Sequence, residues 1–311
     1  MTFRRHRVFK TALAVAVLAA SLCALVPAHA QTGALASDPV ADKAAPAALE
    51  SFQLPSHGAL LNAFVYVAAG ARPHPTVMLL HGFPGNEKNL DIAQTLRRAG
   101  YNVLYFDYRG SWGSPGDFSF SHSMEDTEAA ISYLRAPANA AKLRVDPNSL
   151  ILAGHSMGGM ISAVTAAHFA TDPGIRGVVL ISAANMAGRV LPAVQSGHGD
   201  QALIPVSKAL ASQGMAPLAG CTPESLAKEL IANAAAWDIP SLAPKLTARP
   251  MLIVSSDDGN TPAAEALAAN LKKLGDTTVT SIHLATDHSY SDHRIALQQA
   301  ILNFLATLAT K

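Results

Sequence analysis

The stretch Ser149-Leu150-Ile151-Leu152-Ala153-Gly154-His155-Ser156-Met157-Gly158-Gly159-Met160 decides how this chain is read. Residues 149–153 form the short apolar run expected of a buried parallel strand, and residues 157–169 follow a helical pattern. Between them stands Gly154-His155-Ser156-Met157-Gly158, a G-x-S-x-G motif at a strand-to-helix turn. Such a turn holds the serine in a strained backbone conformation. Glycines two positions either side let neighbouring backbone pass close. The hydroxyl is then pushed out above the sheet, and the following helix sets its N-terminal dipole and free N–H groups beneath it. A glycine-rich turn with a chance serine is the alternative, and the strand before and helix after weigh against it.

Outward from this turn, strands and helices alternate. Residues 52–54 and 61–67 read as an opening antiparallel pair, turning at Ser56-His57-Gly58. Strands are expected at 76–80, 102–106, 177–182, 251–254 and 279–284. Helices are expected at 90–99, ending at the C-cap residue Gly100, and at 125–135, 263–274 and 294–308. This alternation predicts an α/β domain, a mostly parallel central sheet with helices on both faces. Residues 184–249 separate two strands by far more than an ordinary connection. Helical patches at 202–211 and 224–236, with Pro and Gly between, mark an inserted helical cap. The domain divides into a first core part at 51–183, the cap at 184–249 and a second core part at 250–311.

The N-terminus is expected to be an address. Arg4, Arg5, Arg7 and Lys10 precede an apolar run over residues 11–26, and Ala28-His29-Ala30 gives a signal peptidase its small residues. The run is short for a bilayer span, so a signal peptide over residues 1–30, cleaved after Ala30, is expected, with a secreted or periplasmic product. Leu22 before Cys23 departs from a lipidation site. Residues 31–50, rich in Ala, Pro, Asp and Gly without periodicity, are expected to be a flexible leader. The formal net charge is +1 and would become −3 on loss of residues 1–30. That balance excludes electrostatic binding of nucleic acid, and 50% hydrophobic against 14% charged residues excludes a disordered chain. After cleavage Cys221 would stand alone, so stability rests on the core and not on a disulfide.

With the serine turn in this context, residues 52–309 resemble the α/β-hydrolase family, whose catalytic order is serine, acid, histidine. The resemblance implies Ser156 as nucleophile. It implies an acid in Ser255-Ser256-Asp257-Asp258-Gly259-Asn260-Thr261-Pro262, where alignment of Pro262 favours Asp258 over Asp257. It implies His288, in Asp287-His288-Ser289, as the base, with His293 the competitor. His283, alternating within a strand, is expected to pack. A metal site built from His283, Asp287, His288 and Asp292 matches no common ligand spacing. The segment His81-Gly82-Phe83-Pro84-Gly85 resembles the family's oxyanion loop, which with the residue after the nucleophile implies the Phe83 and Met157 N–H groups as oxyanion donors. The segment 107–114, Asp-Tyr-Arg-Gly-Ser-Trp-Gly-Ser, resembles the family's structural D-x-R-G-x-G-x-S, with Trp112 read as a variable position.

These residues imply a serine hydrolase that needs no metal or organic cofactor. Its partner would be a small-molecule ester or a short peptide, with no membrane span after cleavage. Hydrolysis of acyl esters leads. A serine peptidase of the aminopeptidase or prolyl oligopeptidase type is the alternative, and it would want a cap carboxylate for the substrate amine, from Glu224, Glu229 or Asp238. A non-catalytic binding module on the same fold is a third reading.

Overall fold

A computed structural model describes residues 33–247 and 249–309. The signal peptide expected at 1–30 lies outside the described residues. Eight strands form one sheet in the order β1-β2-β4-β3-β5-β6-β7-β8. They are β1 (Ala48–Ser56), β2 (Ala59–Val67), β3 (His74–Leu80), β4 (Asn102–Phe106), β5 (Val145–His155), β6 (Ile175–Ile181), β7 (Met251–Ser255) and β8 (Val279–His283). Strand β2 runs antiparallel to β1 and β4, and the neighbours from β4 to β8 run parallel. The expected mostly parallel α/β sheet is therefore present.

The central strands read as unbroken apolar runs because alternate residues enter two different cores. Val77 and Leu79 of β3 join Ile151 and Ala153 of β5 beneath the helices Leu90–Arg98 and Arg294–Ala309. Met78 and Leu80 join Leu150 and Leu152 on the other face, under Phe120–Arg135 and Met157–His168. Burial on both faces removes the polar half of the strand pattern.

Helix Phe120–Arg135 starts a turn earlier than the apolar pattern predicts, because the Ser119 side chain caps it by accepting from the His122 N–H at 2.9 Å. Of the stretch expected to be a flexible leader, Ala34 and Ala45 are buried. The Ala34 carbonyl accepts from Arg98 Nε at 2.6 Å, and the Ala45 carbonyl accepts from Gly70 N–H at 2.9 Å.

Between β6 and β7 lie the helices Leu191–Gln195, Gly199–Ala211 and Pro223–Ala232, a 3-10 turn Ile239–Leu242 and the short helix Ala243–Leu246. The last two differ in kind from the rest. Ile239, Leu242, Ala243 and Leu246 are buried in the main core, against Met157–His168 and Thr261–Lys273. The helices Gly199–Ala211 and Pro223–Ala232 pack chiefly on each other. Trp112 falls on the second glycine of the D-x-R-G-x-G-x-S pattern, not on its variable position, and keeps the left-handed φ of 49° that a glycine would take there.

Candidate active site

Ser156 joins the end of β5 to the helix Met157–His168 with φ 58° and ψ −120°, outside the regions a serine ordinarily adopts. Strain of this kind costs about 1–3 kcal/mol and persists only where surroundings over-determine it. Here they do. The Ser156 N–H donates to Ile181 O at 2.9 Å, and its carbonyl accepts from Gly159 and Ala184 N–H groups. A Cβ on Gly158 would collide with the Leu80 carbonyl, and one on Gly154 with the Gly158 carbonyl. The motif glycines are thus required by the close approach of β3 and by the tightness of the turn.

Asp258 follows β7 and its side chain is buried. Its Oδ2 accepts from His288 Nδ1 at 2.6 Å and from Asn260 Nδ2 at 3.1 Å, and its Oδ1 accepts from the Asn260 N–H at 2.8 Å. Burial by itself raises a carboxyl pKa, but the hydrogen bonds from His288 and Asn260 outweigh it and hold Asp258 well below the usual range. Asp257 points elsewhere. Its Oδ1 lies 3.2 Å from His283 Nε2, in an exposed pair. His283 does not pack as the alternation suggests, because β8 is the edge strand of the sheet and this end of it faces solvent. His293, the rival base, pairs with Asp292 at 2.8 Å. Among the described residues no group of three or more His, Cys, Asp or Glu could hold a metal ion.

His288 is brought against the residue that precedes Ser156. His155, the residue before the serine, lies with its ring 4.6 Å from that of His288 and its Nε2 2.8 Å from the His288 carbonyl. Among the described residues no hydrogen bond joins Ser156 Oγ to His288. Such bonds are often long before substrate binds. The histidine loop is anchored further by Tyr290, a buried residue with φ 56° whose hydroxyl donates to Val254 O at 3.1 Å and lies 2.8 Å from Ser182 Oγ. His155 and Tyr290 are not legible as site residues in the sequence, since each acts through a contact between elements far apart along the chain.

The loop 81–85 packs against the serine. A Cβ on Gly82 would come within 3.0 Å of Ser156 Cβ. His81 Nδ1 donates to the Gly82 carbonyl at 2.8 Å, which leaves its Nε2 as the unprotonated nitrogen. Complete burial lowers the His81 pKa to about 4 and keeps the ring neutral. Fixing the Gly82 carbonyl also fixes the opposite end of the same peptide plane, the Phe83 N–H. Trp112 Nε1 donates to Pro84 O at 2.8 Å, holding the next turn of the loop. Neither the Phe83 nor the Met157 N–H has an acceptor among the described residues. The Phe83 ring packs on Phe118 and Phe120 with centroids 5.9 and 6.0 Å away.

Three sets of proteins resemble this chain. An α/β hydrolase fold family matches residues 75–206. The uncharacterised protein YfhR of Salmonella typhimurium is 30% identical over 151 residues, 43% of this chain and 50% of that protein. The quorum-quenching protein AidA of Acinetobacter baumannii is 29% identical over 122 residues, 37% of this chain and 38% of that protein. The chain thus spans half or less of the curated relatives it matches. Among solved structures, a hyperthermophilic esterase from the archaeon Pyrobaculum calidifontis superposes with a TM-score of 0.64 at 22% identity, covering 86% of this chain and 88% of the other. At that identity the likeness is one of fold. The mostly parallel eight-stranded sheet is the architecture that superposes, and the chain has the α/β-hydrolase fold.

Proposed function

We propose that the protein is an exported serine hydrolase that cleaves carboxylic esters through an acyl-enzyme. Ser156 Oγ attacks the ester carbonyl carbon while His288 Nε2 takes its proton. With Nδ1–H donated to Asp258 at 2.6 Å, the His288 lone pair is on Nε2, the nitrogen a general base must offer. The oxyanion would lie between the Phe83 and Met157 N–H groups, where loss of one donor costs about 3 kcal/mol of barrier. The tetrahedral intermediate collapses, the C–O bond breaks, and the alcohol leaves with the proton from His288. Water, deprotonated by His288, then attacks the acyl ester and regenerates Ser156. No step calls on a metal or organic cofactor. The observation that carries this reading is the 2.6 Å bond from His288 to the buried Asp258 side chain, together with the strained backbone of Ser156.

The same packing argues for an ester over a peptide with a free amine. Three cap carboxylates that might bind such an amine, Glu229, Asp238 and Glu224, are engaged. Glu229 accepts from the Phe120 and Ser121 N–H groups at 2.9 and 2.8 Å. Asp238 accepts from Asn185 Nδ2 at 2.7 Å and from the Ser241 N–H at 3.2 Å. Glu224 pairs with Lys228 on the surface. The esterase likeness points the same way. Export rests on the basic, apolar and small-residue succession of residues 1–30. Among the described residues no helix is long and apolar enough to cross a membrane.

The test is a substrate panel of nitrophenyl esters of increasing chain length beside aminoacyl- and prolyl-nitroanilides. The reading expects turnover of the esters. Preference for the anilides would replace the esterase with a peptidase, and turnover of neither would favour a binding module.

A further inference from the structure

The proposed mechanism requires His288 to meet Ser156, and the role of His155 rests on that reading. Ser156 follows β5, whereas His288 rides on the loop after β8. Strands β6 and β7 lie between them in the sheet. At roughly 4.8 Å per strand the two strand ends are about 14 Å apart. The loop must therefore travel back across the sheet and be held there.

Three of the contacts that hold it bear on the site. Asp258, after β7, fixes the imidazole through Nδ1. Tyr290 ties the loop to Val254 on β7 and to Ser182 after β6. The third is His155 Nε2, 2.8 Å from the His288 carbonyl. A carbonyl only accepts, so His155 Nε2 carries the proton and donates it. Of the three, His155 alone sits on the nucleophile's own strand, and one peptide bond joins it to Ser156. The path from Ser156 to the His288 backbone then contains a single non-covalent link.

We propose that His155 is a positioning residue for the reaction, and that its Nε2–H, donated to the His288 carbonyl, sets the separation between Ser156 Oγ and His288 Nε2. Since the serine hydroxyl makes no hydrogen bond to His288, that separation is fixed by the backbone on either side. His155 is 3% exposed, so its ring is held rigidly enough to transmit the constraint. Burial first, and the neighbouring His288 second, lower its pKa to about 4. It stays neutral at pH 7 and so does not oppose the imidazolium that forms on His288 during acylation. An apolar ring of equal bulk would fill the space without fixing the carbonyl.

The experiment compares kcat and KM on nitrophenyl acetate, with melting temperatures, for the full chain and its His155→Phe and His155→Gln variants. Glutamine places an N–H donor near the position of imidazole Nε2. His155→Phe is expected to lower kcat at least about tenfold, since small misplacements of reacting groups are costly. KM should stay within about twofold, and His155→Gln should recover kcat to within about threefold of the parent. A folded His155→Phe with parental kcat overturns the proposal, as does a folded His155→Gln as impaired as His155→Phe. Should His155→Phe not fold, nitrogen-15 shifts of the parent decide. They must show the Nε2–H tautomer at His155, and the Nδ1–H tautomer overturns the proposal. A parent that neither turns over esters nor takes a fluorophosphonate at Ser156 removes the serine-hydrolase reading and this inference with it. A parent that does both, with an unaffected His155→Phe, removes this inference alone.

Discussion

His288 Nδ1 lies 2.6 Å from Asp258 Oδ2, while the adjacent Asp257 turns away to His283. Two neighbouring carboxylates thus meet two different histidines, one pair with its acid buried and the other on the surface. Asp258→Asn is expected to lower kcat on a nitrophenyl ester by about 10⁴, because the imidazole loses the partner that sets its tautomer. Asp257→Asn breaks an exposed pair worth at most ~1 kcal/mol and should leave kcat nearly unchanged. The reverse pattern would move the acid to Asp257.

Glu229 reaches from the helix Pro223–Ala232 to the first two N–H groups of the helix Phe120–Arg135. A carboxylate there satisfies two free donors and meets the positive end of the helix dipole. Phe120 in turn packs on Phe83. Glu229→Gln should lower stability by about 1–2 kcal/mol, a fall of several degrees in Tm. Glu224→Gln, which breaks only a surface pair with Lys228, should leave Tm in place. Differential scanning calorimetry of both variants checks this, and equal melting temperatures would show that Glu229 clamps nothing.

Acid should destabilise the fold before its carboxylates titrate. Burial holds His81 and His155 at about 4, against an ordinary value of 6.5. The unfolded chain therefore takes up protons at both sites as pH falls through about 6.5, while the folded chain does so only near 4. Stability present above pH 6.5 is lost across that window, by up to ~3 kcal/mol for each histidine. Asp258, held below its usual range, adds a further loss only under about pH 4. Urea midpoints at pH 7.5, 6.0 and 4.5 should fall steadily. A flat profile would mean that neither ring is buried neutral.

Gly158→Ala places a methyl group against the Leu80 carbonyl, where backbone and not a flexible side chain stands in the way. Overpacking of that kind costs about 1–3 kcal/mol or more. The expected result is a lower urea midpoint together with loss of ester turnover, since the turn that carries Ser156 must shift. An active variant of parental stability would show that the turn is looser than described.

The sheet is legible in the sequence because its strands are apolar runs and its helices carry their own periodicity. The serine turn is legible because glycine is demanded by contacts within a few residues of it and by one neighbouring strand. The choice of Asp258 comes from resemblance, and the separation of Asp257 from Asp258 becomes physical only with their two histidines in place. Alternation misplaces His283 for a related reason. It shows which residues share a face, and whether that face is covered depends on the strand's place in the sheet, which is the edge for β8. The contacts of His155 and Tyr290 join the ends of β5, β6 and β7 to a loop near the C-terminus, and no local pattern announces them. The buried part of the insertion, at 239–246, is hidden because a connection and a core segment of that length look alike in sequence.

The central claim is that Ser156 is an activated nucleophile, and covalent labelling tests it most directly. Intact-mass analysis after exposure to a fluorophosphonate should show one added phosphonyl group, mapped to Ser156 by peptide sequencing and absent from Ser156→Ala. An unlabelled parent, or equal labelling of Ser156→Ala, would contradict the account.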